Sequence, residues 1–160
     1  MSIFRNLLIA NSKTSNLING IFLESIIFDG NSFIDTGIPY QTCTISTKIQ
    51  FDYKDSRMLH GWGVQAGEYW GANIDNSYEL GETTVLSNSD TTQVANIHIE
   101  VDASTTTTTL TVNNETISRT GNGSIPSGNY LIGCINNNYN FYGKIYSHTV
   151  RNADGVLIQD

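Results

Sequence analysis

Proline, cysteine and basic side chains are all scarce in this 160-residue chain: 2 Pro, 2 Cys, and 8 Lys plus Arg against 15 Asp plus Glu. Proline removes a ladder donor and breaks central strands, so its scarcity leaves room for long uninterrupted pairing. Two cysteines exclude a disulfide framework. A chain of this length buries roughly 70% of its unfolded surface, and a hydrophobic content of 39% supplies a single core without staples. Cys43 and Cys134 are either one bridge or two buried thiols, since free cysteine behaves as a small hydrophobe. The net charge is −7 and the basic residues are scattered. Phosphate backbones and anionic membrane surfaces need clustered Lys and Arg, so no nucleic acid and no membrane partner is expected. No apolar run approaches the roughly 20 residues of a membrane helix. Arg5 and Asn6 interrupt the apolar start, and no small-residue cleavage site follows, so a soluble chain without a cleaved leader is expected. Charged residues are 14% of the chain against about 25% in ordinary soluble domains; Thr, Ser, Asn and Gly fill the deficit.

What is present is strand signal. Cys43, Ile45, Thr47, Ile49 and Phe51 alternate with Thr44, Ser46, Lys48, Gln50 and Asp52, which is the period of a half-buried strand. Ile21 to Phe28 and Ser32 to Thr36 predict two further strands, the second ended by Gly37 and Pro39. Met58 to Val64 and Glu68 to Ile74 predict a pair, followed by short strands at Ser77 to Gly81 and Thr83 to Leu86. Val94 to Val101 predicts another. Thr105 to Val112 is read as a strand because threonine is β-branched, and Asn113-Asn114 turns it into Glu115 to Arg119. Near the end, Asn129 to Ile135 and Phe141 to Val150 predict strands separated by an asparagine-rich turn. Asn152-Ala-Asp-Gly155 then supplies a tight reversal into Val156 to Ile158. Phe4, Leu7 and Leu8 recur at helical spacing, so residues 1–19 are expected to form either a first strand or docked tail, or an anchoring arm that contacts a protein partner, with the domain proper at 20–160. Many short strands, glycine turns and no helix after residue 20 predict an all-β, two-sheet antiparallel sandwich or jelly roll.

Several stretches resemble a known family. Leu23-Glu24 followed by Phe33-Ile-Asp-Thr-Gly-Ile38 is similar to the opening of concanavalin A-like (laminin-G-like) jelly-roll domains in phage and prophage virion proteins. Tyr130-Leu-Ile-Gly-Cys134 resembles their late strand. Phe141-Tyr-Gly-Lys-Ile-Tyr-Ser147 with Val150-Arg-Asn152 and Gly155-Val-Leu-Ile158 resembles their closing strands, although Ile158-Gln-Asp160 replaces the usual Arg-Asp-Phe ending. The match spans roughly residues 21–160. It implies a jelly roll, a non-enzymatic virion structural or decoration protein attached to capsid or tail proteins in multiple copies, and localisation in the virion. A glycan-binding adhesin or receptor-binding module is the alternative, with a host surface glycan as partner.

Trp62, Tyr69, Trp70 and Tyr78 fall close together beside Asn73 and Asp75, and Asn137, Tyr139 and Tyr142 form a second group. Aromatic faces that stack on sugar rings, with Asn and Asp to bond hydroxyls, make these the candidate glycan-binding residues; the alternative is that the large rings fill the core. Some jelly-roll relatives are glycoside hydrolases, and Glu100-Val-Asp102 places two carboxylates on one side of a strand, but Thr105 stands where their third acid belongs. His60, His98 and His148 lack metal-ligand spacing. Asp29, Asp35 and Asp75 sit in no loop with the dense alternating acids of a calcium site. No serine lies in a nucleophile elbow. The chain is therefore expected to be no enzyme and to carry no cofactor.

Overall fold

A computed structural model describes residues 17–18, 21–22, 25–30, 33–52, 58–63, 68–72, 77–81, 84–86, 90–121, 123–133 and 141–159. Every regular element among them is a strand. β1 (Leu17–Ile18) and β2 (Ile21–Phe22) pair with each other, so the boundary expected at residue 19 falls between two paired strands. The remaining strands are β3 (Ile26–Asp29), β4 (Ile34–Pro39), β5 (Cys43–Phe51), β6 (Met58–Gly63), β7 (Glu68–Ala72), β8 (Tyr78–Leu80) and β9 (Thr84–Leu86), then β10 (Ala95–Asp102), β11 (Thr107–Val112), β12 (Glu115–Thr120), β13 (Asn129–Ile132), β14 (Tyr142–Asn152) and β15 (Leu157–Gln159). They form the expected two antiparallel sheets.

One sheet has seven strands in the order β12-β11-β10-β5-β14, with β3 and β15 both on the far side of β14. β3 pairs with Tyr142–Ile145 and β15 with Val150–Arg151, so early and late segments share one edge. The other sheet has the order β4-β13-β6-β7-β8-β9. The expected single strand Ile21 to Phe28 is in fact two, β2 and β3, which belong to different sheets. β4 runs on to Pro39 through Gly37, whose φ of 71° and a register shift against β13 mark an irregular stretch that proline tolerates.

The alternation along β5 is realised as read: Cys43, Ile45, Thr47, Ile49 and Phe51 are buried, while Ser46 and Lys48 are exposed. β10 repeats the pattern with Ala95, Ile97, Ile99 and Val101 inward. These residues meet Trp62, Trp70, Tyr78, Leu80, Tyr130 and Ile132 of the six-stranded sheet in one core. β11 begins at Thr107 rather than Thr105. Ser104 N, Ser104 Oγ and Thr105 Oγ1 all donate to the Asp102 carboxylate (2.9, 2.6 and 2.9 Å), which closes a turn with Thr106 at φ 51°. A capping carboxylate therefore overrides the strand preference of the first two threonines.

Candidate functional site

Four of the aromatic candidates are core residues. Trp62, Tyr69, Trp70 and Tyr78 are 6%, 1%, 2% and 0% exposed, and a sugar needs an open ring face. Trp62 Nε1 donates to the Ile38 carbonyl at 3.1 Å, and Trp70 Nε1 donates to the Tyr130 hydroxyl at 3.1 Å. Trp70 also stacks on the His60 ring at 4.5 Å. Large rings whose N–H groups find partners inside gain more from burial than from a surface position, and this corrects their assignment as stacking platforms. Asn73, Asp75, Asn137 and Tyr139 lie outside the described residues, as do Phe4, Leu7 and Leu8 of the expected arm. Tyr142 is half-buried at the start of β14.

The two sheets differ in their outward faces. On β7 and β8, Tyr69 and Glu79 point away from Trp70 and Leu80 by alternation, yet both are also buried, so the six-stranded sheet is covered on both faces there. The seven-stranded sheet instead presents a solvated polar face. Its outward positions are Thr44, Ser46, Lys48 and Gln50 on β5, Asn96, His98 and Glu100 on β10, and Thr107, Thr109 and Thr111 on β11. Thr107, Thr109 and Thr111 are hydrogen-bonded across to Thr120, Ser118 and Thr116 at 3.1, 3.2 and 3.0 Å, which fixes this end as a hydroxyl ladder.

Tyr146 is the aromatic ring that the sequence reading missed on this face. The register between β14 and β5 shifts between Ile145 and Ser147, and the extra residue of a bulge re-aims a side chain. Ile145 and His148 still point inward, which leaves Tyr146 outward and half-buried. Its hydroxyl donates to Gln50 Oε1 at 2.9 Å, and Gln50 Nε2 donates to the Thr92 carbonyl at 3.0 Å. Asp90 Oδ1 accepts from Thr92 N and Thr92 Oγ1, holding that turn. Lys48 Nζ lies 5.8 Å from the Tyr146 ring centroid, and Lys144 pairs across from Gln50. The ring is thus set in place before any ligand arrives. A bulge inside a strand has no signature in a strict period of two, which is why the residue was read as ordinary strand.

At the other end of β5, a cavity of about 340 Å³ is lined by Thr42, Thr44, Glu100, Asp102, Thr109 and Asn152, among others. The pair flagged in the sequence, Glu100 and Asp102, does share one side of β10, as read. The hydrogen bonds from Ser104 and Thr105 lower the Asp102 pKa, the opposite of what a catalytic acid needs. Ser46 Oγ is 3.1 Å from His98 Nδ1, and His98 Nε2 is 3.6 Å from Glu100 Oε1. That is the order hydroxyl, imidazole, carboxylate. Ser46 nevertheless sits mid-strand, paired on both sides with His98 and Thr149, so neighbouring amides are spent in the ladder rather than aimed at an oxyanion. The arrangement can bind hydroxyls; it lacks the donors that acyl transfer needs. Asp35 Oδ1 accepts from Gly37 N at 2.9 Å as a turn cap, and no metal-ligand cluster occurs among the described residues.

His60 and His148 belong to the core. Gly133 N donates to His60 Nδ1 at 3.2 Å, and the His148 ring is stacked on Tyr130 at 5.7 Å. Burial pushes His60 down to about 3, with His148 adding to the effect, and pushes His148 down to about 4. Both are neutral packing groups at neutral pH. Cys43 is likewise a buried thiol, its pKa pushed up to about 12 by desolvation.

No protein-family model matches the sequence, and no curated protein matches it. Solved structures do match its fold. The CBM40 module of the Ruminococcus gnavus IT-sialidase, in its complex with alpha2,3 sialyllactose, superposes with a TM-score of 0.54 at 13% identity over 80% of this chain and 89% of its own. Domains LG4-5 of the mouse laminin alpha1 chain superpose with a TM-score of 0.55 at 10% identity over 85% of this chain and 42% of theirs. The SAP-like pentraxin of Limulus polyphemus gives 0.51 at 10% identity, over 79% and 74%. The fold is a concanavalin A-like jelly roll. The fold implied by the resemblance stands. None of these three jelly rolls is a virion protein, so the particle implied with it gains no support here.

Proposed function

We propose that this concanavalin A-like domain is a non-catalytic glycan-binding module that reads saccharides on the outward face of its seven-stranded sheet. The observation that carries the reading is Tyr146: a half-buried ring, aimed outward by a bulge and fixed by Gln50, on a polar face of hydroxyl, amide, imidazole and charged side chains. An apolar ring with a few fixed polar groups around it is what orients a small polar ligand. The jelly-roll module of the R. gnavus sialidase, a structure of the same fold, is described with sialyllactose bound, which is in keeping with the reading. Ordered donors and acceptors at Ser46, His98 and Thr109 supply hydroxyl recognition along the strand.

A glycan array probed with the wild type and with Tyr146→Ala tests this. The wild type should bind at least one saccharide class, and the variant should lose at least tenfold in affinity with an unchanged melting temperature. A wild type that binds nothing on a broad array, or a variant that binds equally well, defeats the proposal. The virion role remains a second reading, favoured by the motifs from Phe33 to Ile38 and from Phe141 to Ser147. It predicts that removing residues 1–19 prevents incorporation into particles while the domain still folds.

A further inference from the structure

Charge is divided along this face. Lys48 and Lys144 flank Tyr146 at one end of β5, whereas Glu100 and Asp102 line the cavity at the other, where Arg151 stands across from Thr44 with its guanidinium drawn to the Gly155 carbonyl at 3.0 Å. Thr44 and Gln50 mark the two ends, six residues apart, or about 20 Å at strand rise. The chain holds 8 Lys plus Arg against 15 Asp plus Glu, yet neither of these two ammonium groups has an ion-pair partner among the described residues. The exposed Asp52, two residues beyond Gln50, is bonded to neither, and the exposed Asp29 stands across from Tyr142 on the neighbouring strand β3. Lys48 lies near the outer limit of cation–π reach from Tyr146, about 6 Å, so its long stem can turn to an incoming anion at little cost.

Resting on the glycan reading, we infer that this face takes a saccharide acidic at one end only. Its carboxylate or sulfate sits against Lys48 and Lys144, and uncharged residues run along β5 past Ser46 and His98 toward Thr44. A polyanion with an acid on every sugar would bring its further charges to Glu100 and Asp102, where like charges repel. The screening length at physiological salt is about 8 Å. That is shorter than the separation of the two ends, so each end is read separately. The net charge of −7 adds to the penalty on a polyanion.

The test is a binding series with matched probes: sialylated oligosaccharides and their desialylated forms, singly sulfated oligosaccharides and their unsulfated forms, and two polyanions, heparin and polygalacturonate. The proteins are the wild type, the Lys48→Ala/Lys144→Ala double variant, and Glu100→Gln. The end-acidic probes should bind the wild type at least tenfold more tightly than their neutral partners, and the polyanions should bind least. The double variant should bring acidic probes down to the level of their neutral partners. Glu100→Gln should improve polyanion binding. Without any substitution, raising salt from 0.05 to 0.5 M should weaken acidic probes alone. Equal binding of acidic and neutral partners, no loss in the double variant, or preferred binding of a polyanion overturns the inference. If neutral saccharides bind best and Tyr146→Ala removes that binding, the glycan face stands and only its charge preference is wrong. If no saccharide binds, both fall.

Discussion

At the scale of single residues, the imidazoles of His60 and His148 are the groups most sensitive to solution conditions. Each is held neutral by burial, with pKa values of about 3 and about 4 against about 6.5 in the unfolded chain. Between those values the unfolded state binds more protons than the folded one, so stability rises with pH through this window and is lost as pH falls below 6.5. For His148 the full loss is about 3 kcal/mol, at 1.36 kcal/mol per pKa unit. Urea unfolding at pH 7.0, 5.5 and 4.5 should show this decline, and His148→Phe, which keeps the stack on Tyr130, should flatten it. An equal slope in the variant contradicts the assignment. Trp70 and Tyr146 separate the two uses of an aromatic in the same way. Trp70→Ala should cost about 3–5 kcal/mol of stability, as for other buried large rings, whereas Tyr146→Ala should leave the melting temperature within a few degrees. Composition and neighbours look alike for the two residues in the sequence, and burial alone tells them apart.

At the scale of elements, turn chemistry decides where strands begin and end. Asn113 and Asn114 adopt φ of 48° and 82° between β11 and β12, the left-handed pair of a two-residue hairpin. Asn114→Val should therefore cost about 1–2 kcal/mol while Asn114→Gly is neutral or stabilising; equal melting points for the two would show that the turn does not hold the register. Gly143 is a tighter constraint. At φ 155°, a Cβ there would lie 2.1 Å from the Gln50 carbonyl oxygen and 2.8 Å from the Phe141 ring. Gly143→Ala must push β14 from β5, and an expected loss above about 3 kcal/mol is readable by thermal melting. β5 and β10 were legible because one face of each is buried and the other wet, so period and register are imprinted on residue type. The closing hairpin, whose last strand is largely exposed, was instead legible from its Asn152-Ala-Asp-Gly155 turn. The break between β2 and β3 had a marker that the single-strand reading passed over: Glu24 and Ser25 interrupt the apolar run between Phe22, the last residue of β2, and Ile26, the first of β3. Thr105 and Thr106 were misread for a different reason: Asp102 captures the turn through side-chain hydrogen bonds that propensity ignores.

At the scale of the whole molecule, function follows from which sheet face is left open. The clustering of Trp62, Tyr69, Trp70 and Tyr78 beside Asn73 and Asp75 suggested stacking platforms, but these four rings are buried, as the core-filling alternative had it. The seven-stranded sheet keeps its polar side in solvent, and the β14 bulge places one ring on it. The Thr, Ser and Asn that replace the missing charge in the composition line this face at Thr44, Ser46, Asn96, Thr107, Thr109 and Thr111. What a period-of-two reading could not supply was the bulge, and with it the outward placement of Tyr146.

The most direct measurement is an amide shift map by NMR, titrating the labelled protein with whichever oligosaccharide the array returns. The largest shifts should fall on Thr44, Ser46, Lys48, Gln50, His98, Tyr146 and Ser147, along β5 and its two neighbours. Shifts centred instead on the segments around Asn73 and Asp75 or around Asn137 and Tyr139, with β5 silent, would contradict the account.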